Sequence, residues 1–283
     1  MQEKNFCVFI LTHGRPNKVL SYKTLKRQGY TGKIYLIVDD EDKSLDEYKK
    51  NFKDQVLIFS KKEIVKEFDE GDNFEDRRAI IYARNACFKI AKNLGYTYFL
   101  QLDDDYTEFT FKINSNYEFI NYKLIKNLDS VFDALLKFYK KTPAVSIAMA
   151  QGGDFIGGKF GNSWKKPKRK CMNSFFCSTE RPFKFFGRIN EDVNTYVHLG
   201  SKGDLFFTVM YVALKQLETQ TNKGGMTEIY LASGTYVKSF YSVIYQPSSV
   251  KIAVLKDKNA RIHHKIKWKN TVPCILPEVL KKI

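Results

Sequence analysis

The sequence predicts a single α/β domain in which a mixed, mostly parallel β-sheet is flanked by helices. Short buried strands alternate with helical stretches through the first hundred residues, and polar loops follow several of these strands. No stretch rich in Pro and Ser divides the chain. With 283 residues, 43% of them hydrophobic and 15% aromatic, the chain can bury a full core, and this composition excludes a disordered protein.

Four short runs of β-branched, aromatic and aliphatic residues predict the strands of the first half. These runs span residues 6–12, 33–38, 55–59 and 96–102. Apolar residues at helical spacing predict one helix that ends near Gly29 and a second over 74–94, which stops at Gly95. Because strands and helices alternate, we expect the beginning of a doubly wound sheet that the second half completes.

The second half has a less regular pattern. Apolar spacing over 121–140 predicts an amphipathic helix, and 144–150 predicts another buried strand. Periodicity is lost over 151–188, where Gly, Lys, Asn, Ser and Phe are frequent, so we expect long loops or ribbons there. The apolar run 205–214 has the length of a core strand.

Several classes of protein are excluded by simple features. No stretch near 18 residues is free of charge, so a membrane-spanning helix is not expected, and the polar start of the chain predicts no secretory signal. Five scattered cysteines without a CxxC pair indicate reduced thiols and therefore a cytoplasmic protein. Neither a P-loop nor a GxGxxG pattern is present, which argues against an ATPase and a dinucleotide oxidoreductase.

Polar strings follow three of the predicted strands, where ligands bind in open α/β sheets. They are residues 12–16, 39–42 and 103–105. The third consists of three aspartates directly after a buried strand, and their mutual repulsion would be relieved by Mg²⁺ or Mn²⁺. In an extended segment Asp103 and Asp105 point the same way, so one ion could bind both. A solvated acidic turn is the alternative.

A second acidic pair, Glu191 and Asp192, precedes a segment with helical spacing. Acidic residues at a helix start also stabilise the positive end of the helix dipole, which is the simpler interpretation. If the pair faces the Asp103–Asp105 loop, one of these carboxylates could deprotonate a hydroxyl beside a metal-bound leaving group.

Taken in order, these motifs resemble the GT-A glycosyltransferases. The set comprises Thr-x-Gly-Arg-Pro at 12–16, Asp39-Asp40, Arg84-Asn85 on a helix, Asp103-x-Asp105 and Glu191-Asp192. The resemblance implies a GT-A-like fold and a nucleotide sugar as donor. It also implies that residues 1–106 form the nucleotide-sugar-binding half of the domain, and that residues 107–283 form its acceptor-binding and catalytic half.

The resemblance further implies roles for individual residues. Binding of the nucleotide and its phosphates falls to Thr12, Arg15, Asp39, Asp40, Arg78, Arg84 and Asp104. Binding of Mn²⁺ or Mg²⁺ falls to Asp103 and Asp105, with a further ligand from His263 or His264. Because the two histidines are adjacent, they are expected to point in different directions and only one is expected to serve. For an inverting displacement, Asp192 is the predicted base and Glu191 the second choice.

The positive charge is concentrated in two windows of the second half. The chain has 47 Lys and Arg against 31 Asp and Glu, a net charge of +16. Residues 159–188 hold nine Lys or Arg and one Glu, and residues 251–270 hold seven and one Asp. A polyanionic partner is therefore expected, and the phenylalanines interleaved in the first window suggest stacking on exposed bases. The alternatives are a solvated basic face with core phenylalanines, and an anionic lipid surface.

DNA is the predicted acceptor, and its predicted contacts are Lys165, Lys166, Lys168, Arg169, Lys170 and Arg188. In overall layout and basic character the chain resembles the bacteriophage GT-A enzymes that are associated with TET-like base oxygenases and glycosylate oxidised pyrimidines. That resemblance implies transfer from a UDP-sugar to the hydroxyl of a hydroxymethylated pyrimidine in DNA, in the host cytoplasm if the chain is phage-encoded.

Three other functions stay open at this point. The first is a GT-A glycosyltransferase whose acceptor is a polysaccharide, lipid or protein. The second is a two-metal nuclease or nucleotidyltransferase, in which four carboxylates form the metal cage; they are Asp103, Asp105, Glu191 and Asp192. The third is a DNA-binding protein without activity, which explains the charge but leaves the three aspartates without a task.

Overall fold

In this computed structural model the described residues are 5–71, 77, 79–161, 163–217, 227–255, 261–273 and 278. Within these ranges nine strands form one sheet and two form a separate hairpin. The strands of the sheet are β1 (Phe6–Leu11), β2 (Ile34–Asp39), β3 (Val56–Phe59), β4 (Tyr98–Asp103), β5 (Tyr106–Ile113), β6 (Phe119–Leu124), β7 (Ser146–Ala150), β8 (Ser174–Ser178) and β9 (Phe206–Gln216). The strands of the hairpin are β10 (Val250–Leu255) and β11 (Arg261–Ile266).

Helices connect and cover these strands. They are α1 (Leu20–Arg27), α2 (Leu45–Phe52), α3 (Lys61–Ile64), α4 (Ile81–Asn93), α5 (Leu128–Lys140), α6 (Glu191–Lys202) and α7 (Thr227–Tyr245). The alternation of strand and helix in the first half is as predicted, with ends displaced by a few residues. Part of the predicted helix over 74–94 lies outside the described residues, and its described part is α4.

The sheet has the strand order β3-β2-β1-β4-β8-β7-β9-β5-β6. Among these described strands, β8 and β5 run opposite to the other seven, so the predicted mixed, mostly parallel sheet is confirmed. From β1 the chain continues to β2 and β3 on one side and then crosses to β4 on the other. The switch point between β1 and β4 is where open α/β sheets bind ligands.

Each face of the sheet is covered by its own apolar core. Alternate residues of β1 belong to different cores, because successive side chains of a strand point to opposite faces. Phe6, Val8 and Ile10 lie in the core that includes residues of α1 and α5, whereas Phe9 lies in the core that includes residues of α4 and α6. The two cores explain the near-continuous apolar sequence of the central strands.

The predicted helix over 121–140 is wrong in its first part. Its beginning belongs to β6, an edge strand that pairs with β5 in an antiparallel hairpin, with Phe111 opposite Lys123. Helix α5 begins only after Asn127, whose side chain accepts a hydrogen bond from the backbone N–H of Ser130 at 3.0 Å. Pairing with β5 therefore overrides the helical spacing of the first residues.

Other predictions for the second half agree with the structure. The segment 151–188 contains short 3₁₀ turns and irregular backbone around β8. The run 205–214 falls largely within β9, and a helix follows the Glu191–Asp192 pair. Cys7, Cys87, Cys171 and Cys177 are buried free thiols, while Cys274 lies outside the described residues. None of the described helices is long and apolar enough to cross a membrane.

Candidate active site

A cavity of about 1010 Å³ opens at the carboxyl ends of β1, β2 and β4. It lies at the switch point of the sheet, where Leu11 of β1 pairs with Asp103 of β4. Most of the predicted donor, metal and catalytic residues line this one cavity. They are Thr12, Arg15, Asp39, Arg84, Asp103, Asp104, Asp105, Glu191, Asp192, His263 and His264.

The loop after β1 is tied to the loop after β4. Thr12 donates a hydrogen bond from Oγ1 to Oδ2 of Asp104 at 2.7 Å, and Arg15 donates from Nη1 to Oδ1 of the same carboxylate at 3.2 Å. The hydroxyl of Tyr48 accepts a hydrogen bond from the backbone N–H of Arg15 at 2.9 Å. Asp104 is buried, so among the three aspartates it is the one that holds the loops together.

The end of β2 carries a cluster that sequence reasoning missed in part. Asp39 accepts a hydrogen bond from Nδ1 of His13 at 2.6 Å, and its second oxygen lies 2.9 Å from Nζ of the buried Lys61. Burial alone would raise the pKa of Asp39, but the hydrogen bonds from these two residues lower it. His13 stands in a loop that the sequence already marked, whereas nothing in the sequence distinguishes Lys61 from other lysines.

Asp40 is not among the residues that line the cavity. Its Oδ1 accepts a hydrogen bond from the backbone N–H of Lys61 at 3.0 Å and so fixes the start of α3. The other nucleotide-binding candidate, Arg78, lies outside the described residues. Of the two acids at the end of β2, only Asp39 therefore faces the cavity.

Arg84 of α4 joins the two groups of acidic residues. Its Nη2 donates to Oδ1 of Asp103 at 3.0 Å, and its Nε donates to Oε1 of Glu191 at 2.9 Å. The residue is 1% exposed, and its guanidinium lies 4.8 Å from the ring centroid of Phe175. Burial lowers the pKa of Arg84, but the two carboxylates outweigh that effect and raise it. Arg84, which the resemblance predicted to bind phosphate, is thus hydrogen-bonded to two carboxylates instead.

Asp103 and Asp105 lie where ionised carboxyl groups are disfavoured. Burial raises the pKa of Asp103 to about 6, although Arg84 acts in the opposite direction. Burial, together with the charges of Asp103 and Asp104, raises the pKa of Asp105 to about 7. A cation bound between these carboxylates would remove the repulsion.

The acidic pair at the start of α6 is delivered by a tight turn. Asn190, the residue before the helix, has a left-handed backbone (φ 56°), and its side-chain amide donates to the carbonyl of Lys238 at 2.6 Å. Asp192 is 9% exposed. Burial raises the pKa of both Glu191 and Asp192, so each is a stronger base than a solvated carboxylate.

Both histidines of β11 line the cavity, and their ring centroids lie 4.2 Å apart. The expectation that they point in different directions is therefore wrong, because the two rings pack against each other. Nδ1 of His264 is buried without a hydrogen-bond partner. Burial, with His263 and Lys238 nearby, lowers the pKa of His264 to about 3, so the ring is neutral and can act as a metal ligand.

A second group of possible metal ligands lies at the ends of β1 and β2. Among the described residues, His13, Asp39 and Asp42 form the one trio whose ligand atoms lie within 4.8 Å of one another. Their carboxylates already accept hydrogen bonds, Asp39 from His13 and Asp42 from the backbone N–H of Gly14 at 2.7 Å, and Lys61 adds a positive charge. Asp103 likewise accepts a hydrogen bond from Arg84, so both groups of acids contact a cationic side chain.

The predicted DNA contacts occupy different environments. Lys165 and Lys166 are exposed and line a separate apolar groove of about 500 Å³. Lys170 lines the active-site cavity and forms an ion pair of 2.5 Å with the buried Asp154, to which Lys168 also binds. Arg169 donates from Nη2 to the carbonyl of Trp268 at 2.9 Å.

Two expectations about the first basic window are wrong. Arg188 is 3% exposed, so it cannot contact DNA from this position. Most of the interleaved phenylalanines belong to the two cores rather than to a stacking surface. Phe175, Phe183 and Phe185 lie in the core with residues of α4 and α6, and Phe176 lies in the core with residues of α1 and α5. For these four residues the alternative interpretation from the sequence, that the phenylalanines belong to the core, is confirmed.

Comparison with known proteins gives one family match and several structural likenesses. The model of a family described as TET-Associated Glycosyltransferase matches residues 6–225. No curated protein matches the chain in sequence. The chain is similar to glucosyl-3-phosphoglycerate synthase from Mycobacterium tuberculosis in complex with Mn²⁺, UDP and phosphoglyceric acid (9% identity, 93% of this chain and 87% of that chain, TM-score 0.44). It is also similar to a mannosyltransferase from Pyrobaculum calidifontis in complex with GDP-Man and Mn²⁺ (10% identity, 86% and 73%, TM-score 0.46).

Proposed function

Because the chain belongs to the TET-associated glycosyltransferase family, we propose that it transfers a sugar from a nucleoside diphosphate sugar to the hydroxyl of a hydroxymethylated pyrimidine in DNA. Membership of the family makes the protein a glycosyltransferase, so the nuclease or nucleotidyltransferase and the inactive DNA-binding protein are set aside. The donor, the metal and the acceptor belong to the proposal.

One observation carries the proposal: the Asp103–Asp105 loop and the Glu191–Asp192 pair share one cavity, linked through Arg84. Glycosyl transfer with a charged leaving group needs a positive centre at the diphosphate and a base at the acceptor hydroxyl. The carboxylates at the end of β4 would hold the cation that supplies the positive centre, and the acidic pair of α6 would supply the base. We infer that Arg84 is a positioning residue for both.

The donor nucleotide fits the part of the cavity formed after β1 and β2. There Thr12 and Arg15 are held by Asp104, and Asp39 is flanked by His13 and Lys61. These groups offer hydrogen-bond donors and positive charge, which suit a base, a ribose and phosphate oxygens. Asp104 contributes by fixing the loop, and we make no assignment to Asp40, which lies away from the cavity.

Asp103 and Asp105, with His264, whose buried Nδ1 has no hydrogen-bond partner, line one cavity and are the residues that would hold Mn²⁺ or Mg²⁺. When bound there, the ion supplies positive charge against the diphosphate that leaves. Two carboxylates and one neutral imidazole are a donor set that Mn²⁺ accepts readily.

Asp192 is the proposed base for an inverting displacement. Its carboxylate takes the proton of the acceptor hydroxyl while the oxygen attacks the anomeric carbon of the sugar and the bond to the diphosphate breaks. Its raised pKa makes the carboxylate a better acceptor for that proton. Oδ1 is held by the backbone N–H of Val193 at 2.7 Å, which leaves the other oxygen for the hydroxyl.

A DNA acceptor is favoured by the charge around the cavity and by the family. Lys170, Lys238 and Lys265 line the cavity, and Lys165 and Lys166 add exposed charge on the segment that leads to Lys170. The family description names an association with TET, which oxidises pyrimidines and so supplies a hydroxyl on the base. A polysaccharide, lipid or protein acceptor has no matching feature among the described residues.

Incubation with a panel of nucleotide sugars and Mn²⁺ tests the proposal. Duplex and single-stranded DNA containing 5-hydroxymethylcytosine or 5-hydroxymethyluracil are the acceptors, and unmodified DNA is the control. Mass spectrometry of the digested nucleosides should show the addition of one sugar to the modified base. Hydrolysis of a nucleotide sugar without transfer to any DNA would support a nucleotide sugar as the donor and refute DNA as the acceptor.

A further inference from the structure

The segment between β7 and β8 leaves the active-site cavity and returns to it. Gln151 and Asp154 line the cavity at its beginning, and Lys170 and Asn173 line it at the end. The part between is an excursion of three short 3₁₀ turns, at Gly152–Phe155, Gly158–Gly161 and Ser163–Lys165. Both ends of the excursion therefore lie in the wall of the cavity.

Two apolar side chains at the tip of the excursion project into solvent. Phe160 is 92% exposed and Ile156 is 82% exposed, the highest values among the large hydrophobic residues that the structure describes. Between them, Gly157 and Gly158 have positive φ angles of 86° and 50°, which turn the backbone. Contiguous exposed apolar surface marks binding sites, whereas single exposed residues are common, so the surroundings of these two side chains decide their role.

Aromatic packing anchors the excursion, although many of its other residues are exposed as well. Phe119 of β6 lies between the rings of Phe155 and Trp164, with centroids 6.0 Å and 5.8 Å away. Nε1 of Trp164 donates to the carbonyl of Lys159 at 3.4 Å. The backbone that carries Phe160 is therefore anchored to the sheet, while its ring has no place in that aromatic cluster.

Positive charge surrounds the two exposed side chains. Lys159, Lys165 and Lys166 are exposed on the same excursion. The acid of this segment, Asp154, is buried and paired with Lys168 and Lys170, so it adds no negative charge at the tip. This surface matches a partner that combines negative charges with apolar faces. Nucleic acid has both, in its phosphates and in its stacked bases.

We propose that Phe160, assisted by Ile156, is an apolar wedge that enters a DNA duplex and fills the space left by an extruded acceptor base. This inference rests on the proposed function, because it takes DNA to be the acceptor. Asp192 is 9% exposed inside the cavity, and a base that is still stacked in a duplex cannot reach such a group. An apolar side chain inserted between base steps holds the gap open while the base is in the cavity.

Comparison of duplex and single-stranded acceptors tests the wedge. Phe160→Ala should reduce kcat/KM for hydroxymethylated duplex DNA by about tenfold or more, since a base–aromatic contact is lost, and should change it within about twofold for single-stranded DNA of the same sequence. Phe160→Trp should retain duplex activity. Ile156→Ala should lower the duplex rate less, and Ile58→Ala, an exposed isoleucine on the opposite edge of the sheet, should change neither rate.

Extrusion itself can be followed by the fluorescence of 2-aminopurine placed next to the target base. Wild-type protein should increase the fluorescence on binding the duplex, and Phe160→Ala should lose most of that increase. If Phe160→Ala lowers duplex and single-strand rates equally, or leaves the duplex rate unchanged, the wedge is refuted while the DNA acceptor stands. If wild-type protein glycosylates no DNA at all, the proposed acceptor fails and the wedge fails with it.

Discussion

Arg84 donates a hydrogen bond from Nη2 to Oδ1 of Asp103 at 3.0 Å, and both residues line the active-site cavity. The same guanidinium reaches Glu191 on its other edge. Helix α4 thereby connects an acid after β4 with an acid at the start of α6, two segments almost ninety residues apart in the chain. The proposed metal site and the proposed base share this one buried cation.

Replacement of the buried Arg84 should destabilise the fold. Arg84→Met leaves two partly or fully buried carboxylates without their partner, and loss of one member of a buried ion pair costs about 3–5 kcal/mol. Urea unfolding of the metal-free protein should show a loss of this size. Arg27→Met, a control at an exposed arginine on α1, should change the free energy of unfolding by less than about 1 kcal/mol. Similar values for the two variants would contradict the role of Arg84.

Asp103 and Asp105 should make the metal-free protein less stable as the pH rises. Their pKa values are about 6 and about 7 in the folded protein, above the value of 3.8 for a free side chain. Between about pH 4 and pH 7 the unfolded chain has lost these protons while the folded protein retains them, so these two groups lower the free energy of unfolding across this range. His264, whose pKa is lowered to about 3 from 6.5, acts in the opposite direction up to about pH 6.5. The contribution of the aspartates is therefore measured as the difference in thermal unfolding between the wild type and a variant at several pH values.

The variant Asp105→Asn isolates the contribution of one carboxyl group to that pH dependence. Because the amide does not ionise, the decrease between about pH 4 and pH 7 should be smaller than in the wild type. Mn²⁺ should raise the melting temperature of the wild type more at pH 8 than at pH 6, because it binds the ionised form. A Mn²⁺ effect that is equal at both pH values in wild type and variant would exclude Asp105 as a ligand.

Replacement of the proposed base should separate binding from transfer. Asp192→Asn keeps the size of the side chain but cannot accept a proton, so transfer should fall by roughly 100-fold or more while the affinity for the donor nucleotide stays the same. Calorimetric titration with UDP and a transfer assay measure the two effects. Glu191→Gln is the matched comparison; a larger loss of transfer in that variant would make Glu191 the base.

The two adjacent histidines should differ in their effect on metal affinity. His264→Ala removes a neutral imidazole with an unpaired buried Nδ1 and should weaken Mn²⁺ binding about tenfold or more. His263→Ala, one residue away on the same strand, should have a smaller effect. Free Mn²⁺ measured by electron paramagnetic resonance gives both affinities, and the reverse order would transfer the assignment to His263.

DNA affinity should depend on the two exposed lysines of the basic window. The double variant Lys165→Ser with Lys166→Ser should flatten the dependence of log K on log salt by about 2, because each phosphate contact contributes about one ion. The double variant Lys49→Ser with Lys50→Ser removes the same charge from α2, where both lysines are exposed, and should leave the slope unchanged. Equal slopes in all three proteins would remove this segment from the acceptor surface.

Secondary structure was predictable where the local pattern and the tertiary pairing agree. Strands β1, β2 and β4 and the acids that follow them could be predicted from the sequence because these strands are buried on both faces. The predicted helix over 121–140 failed at β6, since pairing with β5 decides the conformation of an edge strand whose own spacing is ambiguous. Local spacing alone contains no information about that partner.

The positions of the site residues were also predictable only where a local sequence signal exists. Asp103 and Asp105 were identifiable because three carboxylates in sequence are costly without a cation. The hydrogen bonds of Arg84 to Asp103 and Glu191, and of Lys61 to Asp39, join residues from different elements and have no local signature. Arg188 was misassigned because charge predicts exposure in most lysines and arginines, yet this one is 3% exposed.

The sequence by itself determined the α/β class, the acidic loop after β4 and the concentration of positive charge in the second half. These features depend on composition and on neighbours within a few residues. Only the tertiary structure decided which phenylalanines of the basic region are core and which one is exposed: Phe175 is 1% and Phe160 is 92% exposed. Burial is a property of the surface that packs against a side chain, and that surface comes from residues far away in the chain.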